Sequence, residues 1–259
     1  MSTDSSNPAL PVKEKKSWNT WIGVVVGIVA LFGSQLLVGI VLSIYPALKH
    51  WDQHRANNWL NNSIIVQFIF VLFAETIAVA IVYLYLKRYK GALKEIGLKR
   101  PKWFDPVYGL LGLPAYLLLY FVALSIITRF VPHLNVNQKQ QLGFNNPAGA
   151  TQLILTFISL VVLPPIAEEI IFRGLIYTSL KKKLPIWLAA IVTCGLFAAG
   201  HLSEGGSSGP LYIAAIDTFS LSLVLIYIRE KTGRLYAGMT LHALKNCIAF
   251  IALFALHLS

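Results

Sequence analysis

Six side chains in the C-terminal part of the chain have the types and spacing for chemistry: Glu168 and Glu169 with Arg173, then His201, then His242 with Asn246. Glu169 and Arg173 are four residues apart, so on a helix they share a face and can pair. Glu168 points about 100° away from Glu169 and is left for other work. His242 and Asn246 have the same spacing and present a ring nitrogen and an amide on one stripe, and Phe197 stands four residues before His201. A carboxylate, two imidazoles and an amide supply a proton acceptor and hydrogen-bond donors. Taken singly, each has a structural reading: His201 as an interhelical hydrogen bond, Glu169–Arg173 as a bridge, Phe197 as packing. Together they read as a site.

These residues lie in stretches that are otherwise apolar enough to be membrane-embedded. A charge near the bilayer centre costs about 2.5–3.5 kcal/mol on insertion scales. Three charges between Glu168 and Arg173 must therefore face a protein-lined cavity, pair with each other or act on something. Pro164-Pro165 precedes them. Proline removes a backbone donor and clashes with the preceding turn, which predicts a kink or break in that helix and a fresh start at the glutamate pair, where negative charge is favourable.

The elements that position these groups are membrane helices. Of 259 residues, 56% are apolar and 13% charged, and the mean hydropathy is +0.64. Soluble domains carry about 25% charged residues. The composition predicts an all-α, polytopic membrane helix bundle of about seven transmembrane helices with a kinked or broken fourth helix. The spans are expected near 21–42, 64–86, 107–128, 150–180, 185–202, 211–228 and 236–258. Residues 1–17 read as a disordered tail and 18–259 as a single helical domain, with the motif-bearing core at 150–250. The first apolar run, Asn19 to Ala47, is too long for a signal-peptide core. His50, Trp51, His54 and Trp59 fall in an interfacial loop, and 91–97 reads as a short helix on the membrane surface. Cys194 and Cys247 lie in apolar segments and read as small buried hydrophobes, not a disulfide framework.

The net charge of +11 sets orientation; it does not mark a nucleic-acid binder, because no aromatic-basic stripe accompanies it. Sixteen Lys and Arg residues fall on one set of alternating segments (the tail, 87–102, 181–183 and 229–234) and four on the other. The positive-inside rule places the first set in the cytoplasm. The expectation is a multi-pass plasma-membrane protein with its N-terminus cytoplasmic and its C-terminus outside. At about 1.5 Å per residue, Glu168, Asn246, Asp217 and Glu75 lie about 18–20 Å from the nearest basic boundary, His242 about 12 Å and His201 about 27 Å. Asp217 and Lys245 are thereby expected to form a buried ion pair.

Glu168-Glu169-x-x-x-Arg173, Phe197-x-x-x-His201 and His242-x-x-x-Asn246, with Phe172-Arg173-Gly174 as context, resemble the three ordered motifs of the CAAX-protease and bacteriocin-processing (CPBP, or Abi) intramembrane proteases. The resemblance covers roughly residues 150–250. It implies an intramembrane endopeptidase acting on a peptide or membrane-protein substrate, with membrane lipid as its surroundings. It implies that Glu168 activates water, that His201 helps to bind or polarise that water, that His242 and Asn246 stabilise the oxyanion, and that Glu169 and Arg173 hold the first motif in place. Peptide hydrolysis needs a base near the working pH and donors aimed at the developing oxyanion, and these groups supply both. One carboxylate and two histidines, Glu168, His201 and His242, would also hold Zn2+ with a water in the fourth position, and the same groups would serve a metal-free mechanism. The sequence leaves both open, together with a prenylated substrate and the oligomeric state. Two rival readings share the residues: a non-catalytic bacteriocin-immunity or membrane scaffold protein, and a proton relay or transporter, the latter without a visible inverted repeat.

Overall fold

The structure is a computed structural model that describes residues 17–138, 140, 141, 143, 144 and 147–256. The expected tail, apart from Ser17, lies outside the described residues. Among the described residues the elements are all helical, and seven helices are long and apolar enough to cross a membrane. The nine helices used below are α1 (Thr20–Leu48), α2 (Gln53–Asn62), α3 (Ile64–Leu86), α4 (Ala92–Glu95) and α5 (Asp105–Phe130), then α6 (Gly149–Leu180), α7 (Ile186–Gly206), α8 (Tyr212–Thr232) and α9 (Tyr236–Ala255). The protein is a multi-pass membrane helix bundle.

Apolar side chains point outward as well as inward. Val25, Val29, Phe32, Leu36 and Ile40 of α1 are all exposed, as expected of a face that meets acyl chains. The helix in the middle is α6. Every residue from Glu169 to Leu180 is buried, and this stretch packs with Trp18, Leu86, Ile96, Ile226 and Leu235 into the main core. Close approach of α1 to α6 depends on Gly27, where an added Cβ would lie 2.6 Å from Cγ1 of Ile176. Small residues at such crossings are what allow membrane helices to pack tightly. One turn away, Nε1 of Trp18 donates to Oγ of Ser179 at 2.8 Å.

The fourth span does not break. Helical backbone runs through Pro164-Pro165, and the strain is taken up as π-helical winding at Ile158–Val162 and again at Glu169–Ile176. Such wide turns let a helix carry residues that cannot donate in the regular ladder. No fresh helix starts at the glutamate pair.

The basic end of the bundle is tied by charge. Nη2 of Arg234 lies 2.8 Å from Oδ1 of Asp105, and its Nε donates to both carboxylate oxygens, which fixes the start of α5 to the α8–α9 turn. Nη2 of Arg229 donates to the Glu95 carbonyl at 2.9 Å. In the 91–97 segment, expected as a short helix, α4 is a single turn at Ala92–Glu95, and Ala92 and Ile96 are buried in the core. At the opposite end, the 50–62 stretch is not only a loop: Gln53–Asn62 is a helix capped by Asp52. Asp52 accepts from the Arg55 N–H, and Tyr45, Trp51 and Trp59 form an aromatic cluster beside it.

Candidate active site

One cavity of about 330 Å3 gathers polar side chains from α1, α3, α6, α7, α8 and α9. Glu168 of α6, His201 of α7, and His242 and Asn246 of α9 all line it. So do Glu75 of α3 and Asp217 of α8, which the rise per residue had placed at similar depth. The groups reach from Glu75 to Asn246 in sequence, and only the bundle brings them together.

Glu169 and Arg173 sit behind this cavity and do not line it. Nη1 of Arg173 is 2.9 Å from Oε1 of Glu169, and both side chains are almost completely buried. The guanidinium also lies 4.3 Å from the centre of the Phe197 ring. Arg is suited to this because its planar group stacks while it pairs. Phe197 in turn meets His201 edge-on at 4.7 Å and His242 at 5.8 Å. The residue read from sequence as packing is thus the shelf on which one cation and two imidazoles rest.

His242 lies between the two glutamates. Its Nε2 is 3.6 Å from Oε2 of Glu168, and its Nδ1 is 3.7 Å from Oε1 of Glu169. Gly238, one turn earlier on α9, makes room for this: a Cβ there would stand 2.6 Å from Oε2 of Glu169. The sequence signal for that contact is a glycine at four residues before a candidate histidine. His201 is held by its own helix, with Nδ1 2.8 Å from the Phe197 carbonyl. A carbonyl accepts, so Nδ1 carries the proton and Nε2 is the acceptor. Nε2 lies 3.9 Å from Oε1 of Glu204, a carboxylate three residues on that also lines the cavity.

Asn246 is placed by the proline pair. In regular winding the Leu160 carbonyl would accept from residue 164, and in π winding from residue 165. Both are proline and have no N–H. Nδ2 of Asn246 donates to this Leu160 carbonyl at 2.9 Å. An amide NH2 carries two hydrogens, so one is committed to Leu160 and one remains. Lys245 and Asp217 form the expected ion pair at 2.7 Å, and the hydroxyl of Tyr116 donates to Oδ1 of Asp217.

Residues 150–248 match the family described as type II CAAX prenyl endopeptidase Rce1-like. The resemblance carried by the three motifs is a match at family level. A curated protein of Escherichia coli, an uncharacterized 24.3 kDa protein, is 28% identical over 92 residues, which is 35% of this chain and 40% of that protein. The chain therefore spans less than half the length of this curated relative. No solved structure matches.

The Rce1-like region holds all six motif residues, but it does not build the whole cavity. Gln35, Gln67 and Glu75, from α1 and α3, line it from outside the matched residues. Oε2 of Glu75 is buried there without a hydrogen bond. As for zinc, no group of three or more His, Cys, Asp or Glu among the described residues is arranged to hold a metal ion. Glu168, His201 and His242 line the cavity together.

Proposed function

We propose that the protein is an intramembrane endopeptidase that hydrolyses a peptide bond with water activated by Glu168. The observation that carries this reading is the convergence of Glu168, His201, His242 and Asn246 on one cavity inside an apolar bundle. The family described as a CAAX prenyl endopeptidase supports the reaction class.

The steps follow from the groups present. A water between Glu168 and His201 gives a proton to the Glu168 carboxylate as its oxygen attacks the peptide carbonyl carbon. The carbonyl oxygen takes up the electron pair and becomes an oxyanion. The remaining Nδ2 hydrogen of Asn246 and a protonated ring nitrogen of His242 stabilise it. Collapse of the tetrahedral intermediate breaks the C–N bond, and the proton on Glu168 passes to the leaving amine. Glu169 and Arg173 do not touch the reacting atoms. They hold the Phe197 shelf and the far side of His242.

The test uses the full chain purified in detergent and incubated with a library of unstructured peptides, with products read by mass spectrometry. Glu168→Ala and His201→Ala are expected to abolish the cuts made by the native protein while leaving insertion and unfolding temperature unchanged. Full cleavage by Glu168→Ala overturns the proposal. Retention of a cellular phenotype by that same variant favours the immunity or scaffold reading instead.

A further inference from the structure

The cavity lies in one half of the bundle only. Its lining includes Gln67 near the start of α3, Gln140 and Gln141 of the α5–α6 connection, Glu204 at the end of α7 and Ala214 at the start of α8. All of these belong to the end opposite the basic loops. The basic end has a packed core, and the groove of about 380 Å3 at its surface, between Lys94, Lys181 and Glu230, is lined by none of the motif residues. The buried stretch Glu169–Leu180 runs through that core, with Trp18, Leu86, Ile96 and Leu235 packed around. Interiors packed in this way leave few voids even of water size.

Two connections meet over the hollow end. Nε2 of Gln140 donates to Oε2 of Glu204 at 2.6 Å, the Gln141 N–H donates to the Glu204 carbonyl at 2.8 Å, and Nε2 of Gln138 donates to the Pro210 carbonyl at 2.9 Å. The Ile213 N–H also donates to Oε1 of Gln138 at 3.3 Å, and bonds of this kind lie between connections, where opening is least costly. The lining is mixed, with Phe70, Val71, Leu160, Phe250 and Leu253 beside many polar groups. Four of the eleven acidic residues in the chain (Glu75, Glu168, Glu204 and Asp217) face this one cavity, along with four glutamines. A long hydrocarbon tail seated there would bury these groups without partners, at a cost of about 1–3 kcal/mol for each one left unsatisfied. An extended peptide offers a donor and an acceptor at each residue.

We infer that the substrate is a polar peptide segment that enters from the face opposite the basic loops, past the Gln140–Glu204 latch. With sixteen of the basic residues on the other face, that is the extracytoplasmic side. The substrate is therefore an exported peptide or the outer juxtamembrane segment of a membrane protein, and not a lipidated tail in the cytoplasm. This inference rests on the hydrolase reading for the word substrate, and on the cavity for the route.

The route is tested without relying on activity. Ala214→Cys and Thr218→Cys, both lining the cavity, are made separately in the full chain with Cys247 replaced by Ala. Lys99→Cys reports the basic face. Each variant is exposed to a charged, membrane-impermeant maleimide in right-side-out and in inverted vesicles. The expected result is at least tenfold faster labelling of residues 214 and 218 in right-side-out vesicles, with the opposite preference at 99. Faster labelling of the cavity in inverted vesicles, equal labelling from both faces, or none from either overturns the inference. The unstructured peptide library is then supplied to each kind of vesicle. Cuts made only from the basic face overturn the inference while the hydrolase reading stands. Outward labelling with no peptide cut by the native protein overturns the hydrolase reading and leaves an outward-facing cavity.

Discussion

His242 and Arg173 are held by neighbours that the motif spacing does not name. The i,i+4 rule reads the Glu169–Arg173 pair directly from sequence, because it needs only one helix. It does not reveal that Phe197 lies under Arg173 or that Gly238 faces Glu169, since each of those contacts joins two helices. Arg173→Ala leaves Glu169 buried without its cation, and losing one partner of a buried pair costs about 3–5 kcal/mol. A fall in unfolding temperature in detergent, with loss of cleavage, is the expected outcome. Arg173→Lys keeps the charge but loses the planar stack on Phe197, so its unfolding temperature should fall between the two. Gly238→Ala puts a methyl 2.6 Å from a Glu169 oxygen. Overpacking of this kind costs about 1–3 kcal/mol. The carboxylate has little space to retreat, so the same melting experiment should record a fall. A melting curve identical to that of the native protein would mean that the pair moves freely.

At the scale of elements, the spans were legible to within about six residues at each end, because a bilayer demands about 20 apolar residues per helix and leaves little choice of conformation. The fourth span was the exception. Two consecutive prolines read as a kink or a break, with a fresh helix at the glutamate pair. The chain instead stays helical with wider turns, and the carbonyl the prolines leave without a donor is taken by a residue 86 positions away. Nothing local in the sequence points to that partner. Replacing both prolines by alanine gives the Leu160 carbonyl a donor within its own helix, which then competes with Asn246. Proline in a helix interior costs about 3 kcal/mol, so the double variant should melt higher. It should also cleave more slowly, with kcat falling and KM little changed, because Asn246 loses its anchor rather than its amide. Asn246→Ala removes the donor itself, and loss of one oxyanion donor typically lowers kcat about 10²–10³-fold. A double-proline variant with full activity would detach the Asn246 position from catalysis.

For the whole molecule, the charge count and the position of the cavity are independent facts that point the same way. The sixteen-to-four division of Lys and Arg comes from sequence alone, whereas the packed half and the hollow half come from the arrangement of α6 against α1, α3, α8 and α9. The packed half coincides with the basic loops. Its ties, Arg234 to Asp105 and Arg229 to the Glu95 carbonyl, use the same cations that set orientation. If all seven candidate spans among the described residues cross the membrane, the two ends of the chain lie on opposite sides. A protease-sensitive tag after Ser259 should be removed by protease added to intact cells, and the same tag before Met1 should survive until the cells are opened. Reducing the seven basic residues of 87–102 by charge-neutral substitution should weaken that preference, because orientation follows the bias in short loops. If the tag after Ser259 is protected in intact cells while the tag before Met1 is cut, the bundle is inverted. The cavity would then face the cytoplasm, and its occupant would be a cytoplasmic segment instead of an exported one.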